Sequence, residues 1–231
     1  MQSQLTLSQA LKAGWDKAFS RFGLILGSIV VAAILIGIPS SMRNIASSIV
    51  QGSNNTTTIL FVSLISLGLL VLQYWLQILT GIGLIRIQLN TIDNKPAEFG
   101  QLFNSENVFW TYFGASILYG LIVLGGILLL IVPGIYWAIK YQFTLNLVVD
   151  KKLSPVEALR ESGKITQGHK WWLFGFGIVL GLINLATIFT LFLGLVITIP
   201  VTVMAQMYVY RNFSTQTYSV VASKSAKKTT A

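Results

Sequence analysis

An all-α, polytopic transmembrane helical bundle is the fold class this sequence predicts, on three observations. Charged residues make up 10% of the 231-residue chain, less than half of the roughly 25% usual in soluble globular proteins. Hydrophobic residues, 54% of the total, are gathered into blocks long enough to cross hydrocarbon. Most basic residues fall in the gaps beside those blocks, as they do in a protein oriented by its cytoplasmic loops. Together these predict six spans in three hairpins with short amphipathic interfacial helices, and they exclude a soluble domain.

A net charge of +9 would suit nucleic acid. Its distribution beside apolar runs points instead to anionic lipid headgroups on the cytoplasmic side, so no nucleic-acid partner is expected. The chain has no cysteine, which removes disulfides and thiolate metal ligands from consideration.

Residues 1–21 form an amphipathic cytoplasmic lead-in. No apolar core follows a basic start, unlike a cleaved signal peptide. Leu7 to Phe19 fits one helix with Leu7, Leu11, Gly14, Trp15, Ala18 and Phe19 on a shared face. Two readings stand, the lead-in turn of the first span and a separate helix lying in the headgroups. The first span is 22–38, closed by Pro39, with Gly23 and Gly27 at the spacing that lets another helix approach. Ser40 to Thr58 reads as a polar, non-cytoplasmic loop with Arg43 as its only charge.

The second span is 59–80, continuing as helix toward Arg86. Gln73 and Gln77 lie one turn apart, a spacing that points both into the bundle. Asn90 to Asn107 is a cytoplasmic connection with a turn at Asp93-Asn94-Lys95-Pro96, and Pro96 to Phe99 starts a short interfacial helix. The third span is 108–131 and the fourth 134–149, reversed at Pro133-Gly134 without a polar loop. Lys140 is the charge set firmly within an apolar segment; its ammonium either reaches the outer headgroups or faces the bundle interior and a solute. Gln142 and Asn146 form a second amide pair, spaced to bond across to Gln73 and Gln77.

Ser154 to Gly168 carries the clearest local signal. Ser154 is an N-cap, Pro155 the first helical residue, and Glu157 closes a capping box, with Val156, Leu159, Gly163 and Thr166 as the apolar face. The helix is expected along the cytoplasmic surface. His169, without cysteine or a second histidine, reads as interfacial, and Trp171 and Trp172 as belt tryptophans. Spans 171–190 and 194–210 follow, dividing near Phe192 to Gly194. Gly177 and Gly181 there permit close packing, Asn184 and Thr187 are polar contacts, and Pro200 kinks the last span. Residues 212–231 read as a disordered basic tail.

Apart from Arg43 and Lys140, every basic residue falls on one side of this arrangement. That side is therefore cytoplasmic and holds both termini, in the inner (plasma) membrane. Gln9-Ala10-Leu11-Lys12 and Glu157-Ala158-Leu159-Arg160 are alike, and so are the surroundings of Pro133 and Pro200, which points to similarly built, parallel units.

IVPGIYWAIKY, the aspartate of VVDKKLS, and VEALRESGKITQGHKWWLF resemble an uncharacterised bacterial integral membrane family related to the membrane domain attached to some glycerophosphodiester phosphodiesterases. The resemblance is carried by Pro133, Gly134, Tyr141, Asp150, Ala158, Leu159, Ser162, Gly168, His169, Lys170 and Trp171. It implies a helical membrane bundle of about this size and transfers no catalytic residue.

An enzyme is not expected, because the carboxylates are spread through the connections and no phosphate loop is present. No cofactor or metal is called for. A nonenzymatic scaffold or envelope-homeostasis component that contacts anionic lipid and a membrane protein partner is weighed against a small-solute or lipid transporter or transporter subunit. The candidate intramembrane polar contacts are Lys140, Gln73, Gln77, Gln142, Asn146 and Asn184.

Overall fold

The computed structural model describes residues 5–105, 108–190 and 193–229, with residues 220–229 as backbone alone. Every regular element among the described residues is helical. The helices are α1 (Leu7–Ser20), α2 (Phe22–Gly52), α3 (Thr56–Ile92), α4 (Phe109–Leu129), α5 (Ile131–Tyr141), α6 (Thr144–Lys151), α7 (Pro155–Ile165), α8 (Lys170–Ala186) and α9 (Leu195–Thr229). Short 3₁₀ turns stand at Phe99–Leu102 and Thr187–Thr190.

Four stretches are long and apolar enough to cross a membrane: Phe22–Gly52, Thr56–Ile92, Phe109–Leu129 and Lys170–Thr190. At most 22% of the apolar window of any of them is buried inside the protein. Such faces exposed to water would not be tolerated, so these helices fit a membrane protein.

Burial is concentrated at one end. Ile78, Ile82 and Leu89 of α3, Tyr112 and Ala115 of α4, Leu147 and Val148 of α6, Ala158 and Ile165 of α7, Phe176 of α8 and Met204, Ala205, Met207, Val209 and Tyr210 of α9 belong to one hydrophobic cluster. Beyond this base the apolar helices extend as arms. Leu60, Phe61, Leu64 and Val71 of α3 are exposed, as are Leu128 to Val132 at the α4–α5 junction and Phe189 near the end of α8.

Several expectations are corrected. Pro39 does not close the first helix; α2 runs on to Gly52, with Pro39 and Ala46 among its buried residues and α3 packed along it. The lost hydrogen bond is outweighed by packing with a partner helix, so most of the expected polar loop is helical. Asn55 caps α3, its side chain accepting from the Thr57 amide at 2.9 Å.

Pro133-Gly134 is not the reversal. The chain turns at the extended residue Leu130 (φ −167°, ψ 151°), and Pro133 sits in the first turn of α5, where a missing N–H costs no helical bond. Gly134 instead permits close approach, since a Cβ there would lie 2.8 Å from the Ile127 amide nitrogen. The expected span 134–149 is not one helix, because α5 and α6 are separated by a break at Gln142-Phe143.

The expected disordered tail is helical through Thr229 as part of α9. Phe213 stacks on His169 at 4.4 Å between centroids, and the Lys151 ammonium lies 3.5 Å from the Tyr218 ring centroid. These contacts, together with the charge contacts of Arg211, hold the segment against the base. The division of the last two apolar runs falls between Ala186 and Leu195, while its expected centre at Phe192 lies outside the described residues.

α1 is a separate helix, broken from α2 at Arg21. Its buried face is Ala10, Gly14 and Ala18, rotated from the expected one, and it packs on α9 where a Cβ on Gly14 would come within 2.5 Å of the Ala205 Cβ. Trp15 and Phe19 are exposed beside it, ring centroids 4.5 Å apart.

Candidate functional site

The local sequence builds α7 as expected. Ser154 Oγ accepts from the Glu157 amide, Glu157 Oε2 accepts from the Ser154 amide, and Gly168 at φ +83° ends the following turn. Hydrogen bonds from the Ser154 side chain and amide hold the Glu157 carboxyl below its ordinary pKa. The buried face is Ala158, Leu159, Ser162, Ile165 and Thr166, whereas Val156 is 59% exposed, so the expected apolar face is turned.

That turned face meets the break between α5 and α6. Ser162 Oγ accepts from the Phe143 amide at 3.2 Å and donates to the Lys140 carbonyl at 3.1 Å; Thr166 Oγ1 donates to the same carbonyl at 3.1 Å. Backbone groups freed by an interruption inside protein need such partners. Two hydroxyls, one of them Thr166 of the expected apolar face, therefore hold the irregular backbone.

Lys140 reaches neither of its expected places. Its side chain runs along α7 against Gly163, with the ammonium 4.9 Å from the Tyr141 ring centroid, in an open cleft of about 350 Å³ that also includes Arg160 and Lys164. The amides do not gather at one point. Gln77 is exposed, and Gln73 Oε1 is buried without a hydrogen-bond partner. The helix break separates Gln142 from Asn146, so their expected shared face is lost. Asn146 Nδ2 donates to Met207 Sδ at 3.8 Å. Gln142 Nε2 is buried and unpartnered in a cleft of about 210 Å³ shared with Gln206. Asn184 joins α8 to α9: its Oδ1 accepts from Thr198 Oγ1 at 2.9 Å and its Nδ2 approaches Thr202 Oγ1 at 3.5 Å.

A charge cluster that sequence reasoning missed ties the ends of α3 and α6 to the middle of α9. Arg211 of α9 donates through Nη1 to both Asp150 carboxylate oxygens, at 3.0 and 3.2 Å, and through Nη2 to Asp93 Oδ2 at 2.6 Å. Tyr210 Oη donates to Asp150 Oδ2 at 2.8 Å. The visible signal was that Asp93, Asp150 and Arg211 each follow an apolar run within a few residues and carry opposite signs. Charge-assisted bonds from one guanidinium to two carboxylates fix geometry as well as adding energy. Burial, with the charges of Glu161 and Asp150 nearby, raises the pKa of the Tyr218 hydroxyl beyond the cluster.

A larger apolar cleft, of about 470 Å³, opens between α5 and α8. Ile135 and Ile139 line one wall, Trp171 and Phe174 the other, with Tyr136 and Lys170 as its polar members. Lys170 donates to the Tyr136 hydroxyl and lies 4.2 Å from that ring's centroid. No group of three or more His, Asp or Glu side chains able to hold a metal is present among the described residues.

No family model matches the chain, and no solved structure matches it. It is similar to an uncharacterised protein of Mycobacterium bovis, 27% identical over 160 residues, which cover 68% of this chain and 46% of that protein. Two uncharacterised proteins of Mycobacterium tuberculosis match over the same shares at 27% and 26% identity. The chain thus spans about half the length of the curated relatives it matches.

Proposed function

We propose that this chain is a nonenzymatic membrane scaffold whose base lies on the cytoplasmic face of the cell membrane, from which its apolar helices enter the bilayer. The observation that carries this reading is the way polar groups are used. Asp93, Arg211, Asp150 and Tyr210 bind one another, Asn184 is held by Thr198, and Lys140 lies along α7 among other cations. Such pairing welds helices together and leaves a cationic rim suited to anionic headgroups and a membrane protein partner.

One observation favours a second reading, a small-solute or lipid transporter. The buried, unpartnered Gln142 Nε2 shares its cleft with Gln206, as a solute-contacting amide would. Crosslinking in native membranes followed by affinity capture and mass spectrometry separates the two. A stoichiometric protein partner lost on neutralising Arg160 and Lys164 supports the scaffold. Recovery of the chain alone, with a defined solute whose flux into proteoliposomes falls in Gln142→Leu, overturns it.

A further inference from the structure

We propose that the cleft between α5 and α8 binds one anionic diacyl phospholipid from the surrounding leaflet, its phosphate against Lys170 and Tyr136 and one acyl chain along Ile135, Ile139 and Phe174. The proposal deepens the scaffold reading and rests on its membrane placement. Three features of the cleft point to this ligand.

The first is composition. The walls are aliphatic and aromatic, and the volume of about 470 Å³ lies within the range of small-molecule sites. The second is uncompensated charge. Lys170 contacts the hydroxyl and ring of Tyr136, both uncharged, and no carboxylate among the described residues pairs with it. A phosphate there would accept from the Lys170 ammonium and the Tyr136 hydroxyl together.

The third is depth. Lys170 is the first residue of the apolar stretch Lys170–Thr190, and the neighbouring Trp171 is 86% exposed, as a tryptophan at the hydrocarbon–headgroup boundary would be. The cation therefore stands at phosphate level, while Phe174 continues the wall one turn further along α8. Charge and apolar wall are arranged as in a phospholipid itself. A zwitterionic headgroup would bring a second cation toward Lys170, so the site selects a net negative lipid.

The test uses the full chain, purified in detergent and incubated with dioleoyl-phosphatidylglycerol, dioleoyl-phosphatidylcholine or oleate, with adducts counted by native mass spectrometry. One phosphatidylglycerol is expected to be retained in preference to the other two. Lys170→Gln should weaken it about ten-fold, the scale of one charge-assisted hydrogen bond. Ile135→Trp, which fills the cleft and leaves the charges alone, should weaken it similarly, and Lys12→Gln on α1 should not. Equal retention of the two phospholipids, preference for oleate, or phosphatidylglycerol binding unmoved in Ile135→Trp would each overturn the site. If Lys170→Gln is not monodisperse, Ile135→Trp and the lipid preference decide alone. Solute flux with intact lipid retention would overturn the scaffold reading and leave this site standing.

Discussion

Ser162 shows how a single hydroxyl can matter more than a charge. The ammonium of Lys140 drew attention in the sequence because charge is rare in apolar runs, yet it is the Lys140 carbonyl that is engaged, by Ser162 and Thr166. Removing Ser162 Oγ leaves the buried Phe143 amide unsatisfied, whereas removing Thr166 Oγ1 leaves the Lys140 carbonyl still bonded by Ser162. Ser162→Ala should therefore cost about 1–3 kcal/mol and Thr166→Val clearly less. Unfolding by denaturant in detergent checks the order, and equal losses would contradict it. The hydrogen bonds of Ser162 and Thr166 to the break were not legible in advance, since a helix break at Gln142-Phe143 has no proline or glycine to announce it. The charge cluster was half legible: its members were visible, but their meeting depends on how the ends of α3 and α6 come to lie against α9.

Among the helices, glycine spacing was a poor guide and capping chemistry a good one. Gly23, Gly177 and Gly181 have open space where a Cβ would stand; Gly27 is closely approached, by the Phe99 ring, and Gly14 and Gly83 are closed in, the latter with the Leu102 Cα 2.3 Å from a built Cβ. The difference comes from tertiary packing, which an apolar run does not encode locally. Gly14→Leu should destabilise by about 1–3 kcal/mol through overpacking, and Gly181→Leu should be close to neutral. Thermal unfolding in detergent measures both, and a large loss for Gly181→Leu would place a helix there that the structure lacks. By contrast, the Ser154–Glu157 box was read directly. Thr6 and Gln9 form a second box before α1, and in both helices the alanine that follows, Ala10 or Ala158, is wholly buried. The similarity between the two segments is thus a shared device, a capped helix that buries the alanine next to its capping box.

In the whole molecule the three lead-in segments follow one rule. The turn at Phe99–Leu102 packs on α3, the return helix of the pair before it; α7 packs chiefly on α6, in the return path of the next pair, and also on α4 and α5; and α1 packs on α9, the last return helix. All three meet at the base, which on the proposed orientation faces the cytoplasm. Cysteines at Ser48 and Asn54, exposed near the far end of α2 and α3, should then react with an impermeant thiol reagent in intact cells. Cysteines at Lys152 and Gln167, exposed at the base, should not, and the reverse pattern would invert the orientation. The contact of α1 with α9 also bears on biogenesis. Helix α1 has its packing surface in Ala205 and its neighbours, nearly two hundred residues downstream. Its apolar stripe must wait until everything up to α9 has been made, so the α1–α9 contact forms late relative to the helices between them, and a chain truncated before α9 leaves α1 without a seat.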